Sequence, residues 1–322
     1  MRVLVLGGTG FIGQRLVHSL AESGWARPVA ASSRARPGGD ARVVQCQVDT
    51  LDAAQVRQAL RGVDAVVNCV AGSAAAIADG AAVLAQAALQ AGKPLIVHMS
   101  SMAAYGQQEG ALKENSPLDP SLGWYARAKC EAEAHMRAYV QAGGRSVVFR
   151  PGCVCGPGSD MWVARIAGLL RAGRLGDLGV QGDGWSNLVH VDDVCAAVLA
   201  ALRAPPSGSA ALQFFNLAAP DSPRWNQYFT DLALAIDATP VRRIGRRRLL
   251  LDAKLLSPAL KIAEIAARKL RLDTQALPIP ISPSLLKLWR QHIQIDPAES
   301  MAVLGLAYRK YDETLAALVA RP

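Results

Sequence analysis

A doubly wound α/β fold, with a parallel sheet covered by helices on both faces, is what this sequence predicts. Three observations carry that expectation. Short runs rich in Val, Ile and Leu alternate with helix-patterned segments through the first half of the chain. A glycine-rich string, Gly7-Gly8-Thr9-Gly10-Phe11-Ile12-Gly13, directly follows the first of those runs. The alternation then fades, and a smaller, less regular C-terminal portion follows, with glycines clustered between Gly173 and Gly184 and a break at Pro205-Pro206-Ser207-Gly208.

The elements follow in order. Residues 2–6 read as a strand. Residues 11–23 place Ile12, Leu16, Val17 and Leu20 at helical spacing and stop at Gly24. Strands are expected over 29–32 and 43–48, a helix over 52–61 and a strand over 65–70. An Ala-rich helix over 81–91 ends at Gly92. A strand over 94–99, a long helix over 124–142 ended by Gly143-Gly144, and a strand over 146–150 complete the pattern. Later helices are expected at 194–202, 225–236 and 255–270, with an extended, proline-bearing stretch at 277–283.

The chain of 322 residues is long enough to bury a sizeable core. No segment approaches the length of unbroken apolar sequence that a membrane span needs. The first strand begins at Arg2, which leaves no room for a signal peptide, so a cytoplasmic protein is expected. The six cysteines (Cys46, Cys69, Cys130, Cys153, Cys155 and Cys195) form no C-x-x-C pair and no zinc-type spacing with histidine. Buried, reduced thiols and no metal site are expected. The net charge of +9 is uneven: residues 240–272 hold ten Lys/Arg against two Asp/Glu. A basic surface of this kind attracts anions. It lacks the interleaved aromatics that stack on bases, so no nucleic-acid partner is expected.

The glycine string has a physical purpose. Glycine permits the tight turn and lets backbone N–H groups approach a pyrophosphate, which then meets the positive end of the following helix. Gly7, Thr9, Gly10, Phe11, Ile12 and Gly13 are therefore expected to hold a dinucleotide. At the end of the second strand, Ser32-Ser33-Arg34 replaces the carboxylate that would accept a ribose 2′-OH. Ser33 and Arg34 suit a 2′-phosphate, with Arg36 close behind, so NADP(H) is preferred and NAD(H) stays open. Asp49 is placed beside the adenine. Ala71 and Gly72 are placed where backbone passes the cofactor.

Tyr125-Ala126-Arg127-Ala128-Lys129 sets a phenol and an ammonium on one helix face. A neighbouring cation favours the phenolate, so Lys129 is expected to lower the Tyr125 pKa and suit it to proton transfer. Ser100-Ser101 ends the fifth strand, and Ser101 is the expected partner for a substrate oxygen.

Taken together these residues resemble the extended short-chain dehydrogenase/reductase family, also called the NAD-dependent epimerase/dehydratase family. The matching motifs are residues 7–13, Ser100-Ser101 through Tyr105-Gly106, Tyr125 with Lys129, Arg150-Pro151-Gly152-Cys153-Val154-Cys155-Gly156-Pro157-Gly158, and Val189-His190-Val191-Asp192-Asp193-Val194. The resemblance implies a Rossmann-type domain over 1–155 and 186–217. It implies a smaller substrate domain over 156–185 and 218–322. It also implies a Ser101, Tyr125, Lys129 catalytic triad, with Pro151 and Val154 bridging cofactor and substrate. Lys129 would hold the nicotinamide ribose.

The chain departs from the family pattern at four places. Cys155 stands where the family has Tyr, and the loop after the fourth strand is short. Met102 and Ala103 replace the acidic pair of the dehydratases. Ser186-Asn187-Leu188 replaces the arginine of members that bind nucleotide diphosphates. The last two argue against a sugar nucleotide. Segments 277–283, 296–305 and 308–311 look more like the 3β-hydroxysteroid dehydrogenase-like branch.

The expected function is therefore an NADP(H)-dependent interconversion of a ketone and a secondary alcohol on a small, apolar substrate. The alternatives are an epimerase of a sugar or sugar nucleotide and a non-catalytic cofactor-binding scaffold. Segment 249–272 reads as a basic amphipathic helix, open to three readings: packing on the substrate domain, covering an apolar pocket, or peripheral contact with an anionic membrane. The helices 81–91 and 124–142 are available for a homodimer contact, as the resemblance implies.

Overall fold

Strand β1 (Arg2–Leu6) carries apolar side chains on both faces, and four of its five residues are buried. That pattern is the mark of a parallel strand covered on both sides. The computed structural model describes residues 1–34, 40–206, 208, 211–269 and 278–319. After β1 come α1 (Phe11–Glu22), β2 (Arg27–Ser32), β3 (Val44–Gln47), α2 (Ala53–Ala59), β4 (Ala65–Asn68), α3 (Ala74–Gln90), β5 (Leu95–Met99), β6 (Gly110–Leu112), α4 (Trp124–Gln141), β7 (Ser146–Pro151) and β8 (Cys153–Cys155). Beyond them lie α5 (Arg165–Arg171), β9 (Leu188–His190), α6 (Val191–Arg203), β10 (Leu212–Leu217), α7 (Trp225–Ala235), α8 (Arg246–Leu251), α9 (Ser257–Lys269), α10 (Pro283–Arg290), β11 (Ile293–Ile295), α11 (Ala298–Leu304) and α12 (Tyr311–Val319).

Two compact units emerge. The first joins Met1–Val154, Val189–Pro220 and Ile295–Tyr308; the second joins Cys155–Leu188, Asp221–Gln294 and Arg309–Pro322. The return of residues 295–308 to the first unit was not expected from sequence. Its basis is visible at Leu304, Leu306 and Tyr308, which pack on the first unit's core, and at Asp296, whose N–H donates to the Leu112 carbonyl at 2.8 Å.

The first unit is built on a seven-stranded parallel sheet in the order β10-β7-β5-β4-β1-β2-β3. The order reverses direction between β1 and β4, the switch point where open α/β sheets bind ligands beyond their strand ends. One core face packs α1 and α6 against the sheet through Leu16, Leu20, Val194 and Val198. The other packs α3 and α4 through Leu84, Ala88, Ala132 and Met136. Truncating a fully buried residue such as Leu16 to Ala would cost about 2–5 kcal/mol.

Several elements differ from the expected bounds for identifiable reasons. Helix α3 starts at Ala74, well before residue 81, because the Ser73 side chain accepts the Ala76 N–H and caps the helix there. Helix α6 starts at Val191, with the His190 side chain accepting from Asp192 N–H. The single helix expected over 249–272 is instead α8, a π-helical turn at Asp252–Leu256, and α9.

In the second unit, α7 buries Trp225, Tyr228 and Phe229. The Phe229 ring meets Trp289 edge-on at 5.3 Å, and Trp225 lies 5.5 Å from Trp162.

Candidate active site

The loop from β1 into α1 is built so that only glycine fits at its centre. A Cβ on Gly13 would lie 2.2 Å from the carbonyl oxygen of Gly7, a backbone atom that cannot step aside. Gly7 itself has φ +74 and passes tightly against the backbone of Cys69. Helix α1 then opens at Gly10 with no side-chain cap. Its first-turn N–H groups are left for an anion at the positive end of the helix. Thr9 is held in place by its carbonyl, which accepts from the Gln14 amide at 2.5 Å. Phe11 and Ile12 are half-buried and anchor the turn to the core.

Ser33 and Arg34 sit exposed just past β2. The Ser32 hydroxyl donates to the Arg34 carbonyl at 2.6 Å, and the Gln47 amide donates to the Ser33 carbonyl at 3.2 Å, so two side chains brace the turn. Arg36 lies outside the described residues. Asp49 is exposed beyond β3, where one carboxylate oxygen accepts the Leu51 N–H at 3.0 Å. Ala71 and Gly72 are exposed after β4, and Gly72 has φ +128. Ser33, Arg34, Asp49, Ala71 and Gly72 all lie on loops of the first unit.

Tyr125 and Lys129 stand on the first turns of α4, and Ser101 follows β5. The Ser101 hydroxyl accepts the Ala103 N–H at 3.2 Å, capping a short 3-10 turn, and Ser101 lies close enough to Tyr125 to act on its phenol. Trp124 is exposed and meets Tyr125 edge-on, with ring centroids 5.7 Å apart. Lys129 is buried, and its Nζ donates to the carbonyl oxygen of Met99 at 2.6 Å.

The electrostatics correct one expectation. Burial pushes the Tyr125 phenol above its ordinary pKa; the Ser101 hydroxyl pulls the other way without reversing the shift, and Cys153 adds to the rise. Lys129 does not acidify it here. Its ammonium is aimed at the Met99 carbonyl and stands 5.8 Å from the centre of the Tyr125 ring. Burial in turn pushes Lys129 down to about 8. Each group is therefore biased toward its neutral form, the expected result of desolvating both.

The two adjacent serines face different partners. Ser100 is buried, and its hydroxyl donates to Glu133 Oε1 at 2.6 Å. Glu133 is also paired with Arg150 through Nη2 and Oε2 at 2.7 Å, and neither side chain is more than 1% exposed. Arg150 continues to the Tyr105 hydroxyl at 2.9 Å, and Tyr105 donates to Asn216 Oδ1 at 2.7 Å. This network lies behind the Ser101 turn and ties β5, α4, β7 and β10 together. Glu133 and Asn216 were not singled out from sequence. The four-residue step from Lys129 to Glu133 was the available signal for Glu133; nothing local marks Asn216. Pro151 is buried at the end of β7, opposite Leu217 of β10, and Val154 is buried in β8.

His98 on β5 faces Asn68 of β4, 3.3 Å from Nδ1 to the amide nitrogen, and burial drives its pKa down to about 3. It is a neutral imidazole. No two of the six cysteines form a disulfide, and Cys46, Cys69 and Cys130 are only half-buried, less enclosed than expected. Among the described residues, no three His, Cys, Asp or Glu side chains gather as a metal-binding group.

Comparison with known proteins gives this geometry a context. Residues 3–218 match the model of the NAD dependent epimerase/dehydratase family. The 3-diazoavenalumate denitrifying reductase of a Streptomyces species is 33% identical over 233 residues, 65% of this chain and 74% of that one. The 2-alkyl-3-oxoalkanoate reductase of Shewanella oneidensis is 28% identical over 262 residues, 73% of this chain and 66% of that one. Among solved structures, MoeE5 in complex with UDP-glucose and NAD shares the fold with a TM-score of 0.73. Its sequence identity is 21%, and the match covers 99% of this chain and 97% of that one.

Proposed function

Since the chain belongs to the NAD dependent epimerase/dehydratase family, we propose that it is an NADP(H)-dependent reductase that interconverts a ketone and a secondary alcohol on a small apolar substrate. The observation that carries the reading is the placement of Ser101 beyond the carboxyl end of β5 and close enough to act on the Tyr125 phenol, with Lys129 buried one turn further along α4. Reductases among the similar proteins support the reaction class, and the name of the Shewanella enzyme points to 3-oxo acids as the ketones to try first.

The glycine loop fits a dinucleotide, because the space a Cβ would fill at Gly13 is closed and α1 presents an uncapped first turn. In this reading Gly7, Thr9, Gly10, Phe11, Ile12 and Gly13 hold the pyrophosphate. Ser33 and Arg34 hold the 2′-phosphate, and Asp49, Ala71, Gly72, Pro151 and Val154 line the remainder. When bound, the nicotinamide supplies or accepts the hydride.

The chain's own side chains manage the proton. Ser101 holds the substrate oxygen beside Tyr125. Tyr125, kept as the neutral phenol by burial, gives its proton to that oxygen during reduction. Lys129 holds the ribose and balances the phenolate left behind. An ammonium pushed down to about 8 gains from pairing with that anion. Trp124, exposed against the Tyr125 ring, offers an apolar wall to the substrate.

The test is an NADPH consumption assay across 2-alkyl-3-oxo acids, other apolar ketones and UDP-glucose, with Ser101→Ala in parallel. Reduction of an apolar ketone, weakened in the variant, is the expected result. Epimerisation of UDP-glucose in a parallel assay supplied with NAD+ or NADP+, with no ketone reduced, would overturn the reading.

A further inference from the structure

The helical run from Arg246 to Lys269, in the second unit, turns its apolar side chains the wrong way for a helix that only packs on a core. Its inner side is narrow. Leu249, Ala253 and Ser257 are buried at four-residue steps. Such steps drift around a regular helix of 3.6 residues per turn, and the π turn at Asp252–Leu256 absorbs the drift. The anchor is polar as well as apolar. Asp252 pairs with Arg174 at 2.6 Å and accepts the Ser257 hydroxyl at 3.0 Å, and that hydroxyl also accepts the Ile281 N–H at 2.6 Å.

Outside that anchor stand Leu251, Leu255, Leu256, Ile262 and Ile265, all exposed; Leu255 is 66% and Ile262 69% open to solvent. Exposed cations flank them, among them Arg246, Arg247 and Lys254. Asp252, the acidic residue of this stretch whose side chain is described, is turned inward onto Arg174. Clustered large apolar side chains in water mark an interaction surface, and the charge around them states what kind.

We propose that the outer side of residues 246–269 is a docking surface for an anionic phospholipid bilayer. The helix lies in the interfacial plane, its leucines and isoleucines in the acyl boundary and its arginines and lysine among the headgroups. A second copy of the chain fits poorly, because two-fold self-pairing would bring two copies of the same basic surface, with Arg246, Arg247 and Lys254 exposed on each, into one interface. Among the described residues no helix is long and apolar enough to cross a membrane, which agrees with a helix lying on the surface. The surface is independent of the reductase reading. An apolar substrate dissolved in the bilayer would give it a use.

Flotation of the full chain with vesicles tests this. Phosphatidylcholine vesicles containing about 30 mol % phosphatidylglycerol are expected to carry the protein, and pure phosphatidylcholine vesicles to leave it behind. Removing two cations in Arg247→Gln/Lys254→Gln is expected to weaken partition by roughly 25-fold, at about fivefold per charge. Leu255→Ser/Ile262→Ser is expected to abolish flotation while the thermal transition holds, since both residues are exposed. Equal flotation by all three proteins, or none by wild type, would overturn the proposal. So would sedimentation showing a dimer that the Leu255/Ile262 variant dissolves while vesicles are ignored; the patch would then belong to a second copy.

Discussion

Lys129 donates from Nζ to the Met99 carbonyl at 2.6 Å, inside the protein, and stands 5.8 Å from the centre of the Tyr125 ring. The consequence is a lysine pushed down to about 8 by burial beside a tyrosine pushed up by the same cause. In the reduction direction the pair must hold the proton that Tyr125 delivers. Turnover with ketone is therefore expected to fall as pH rises through about 8. The measurement is a kcat/KM profile in both directions, with the oxidation limb rising over the window where the reduction limb falls. A flat reduction profile from neutral pH upward would contradict the pairing.

The same burial has a cost in stability. Lys129 would ordinarily keep its proton to 10.5, but gives it up near 8 in the fold. Between those values the unfolded chain binds the additional proton, so stability rises with pH there; below about 8 the full penalty is present. Lys129→Met is accordingly expected to unfold later in urea at neutral pH, by about 1–2 kcal/mol, while losing activity. A less stable variant would show that the Met99 bond outweighs desolvation.

Glu133 and Arg150 make the opposite case. Both are buried and paired, and each also serves a neighbour, Ser100 and Tyr105 respectively. Removing one partner strands the other, so Glu133→Ala is expected to cost about 3–5 kcal/mol of unfolding free energy. The double variant Glu133→Leu/Arg150→Met should recover part of that loss. Denaturant unfolding of Glu133→Leu, Arg150→Met and the double measures the coupling directly.

Gly13→Ala forces a methyl group to within 2.2 Å of the Gly7 carbonyl, whereas at Gly10 the closest approach is 3.3 Å. The first is expected to weaken NADPH binding by more than about tenfold and to lower stability, the second to do less of both. Fluorescence titration with the cofactor separates them. Equal losses at both positions would mean that the cradle is not set by this contact.

Arg34 carries the cofactor preference. Arg34→Glu is expected to weaken NADPH by about tenfold or more while sparing NADH, because a carboxylate repels the 2′-phosphate and accepts from a 2′-OH. If wild type binds NADH as tightly as NADPH, the argument from Arg34 fails.

Much of this was legible in the residues, for local reasons. The strands of the sheet announce themselves as short apolar runs, because β4 and β5 are buried on both faces and their polar residues, Asn68 and His98, are paired with each other. The glycine string and the Tyr125 to Lys129 spacing are equally local. What was not legible depends on distance or on environment. Glu133 and Arg150 lie on separate elements, Ser300 and Tyr308 fold back onto the first unit, and neither pairing leaves a pattern in sequence. The direction of the Tyr125 shift was misjudged because spacing shows that a cation is near, but not that burial is stronger or that the cation is already committed to Met99. The π turn that keeps Leu249, Ala253 and Ser257 on one side was invisible for a similar reason; it answers to the packing beneath it.

The most direct test of the central claim is NADPH oxidation with a 2-alkyl-3-oxo acid by wild type and Tyr125→Phe, each with its cofactor affinity measured alongside. The account predicts turnover by wild type and a loss of at least about 100-fold in the variant, with NADPH binding nearly unchanged, because only the proton donor has gone. Wild-type turnover by Tyr125→Phe would contradict it, and proton delivery would have to be assigned to another group.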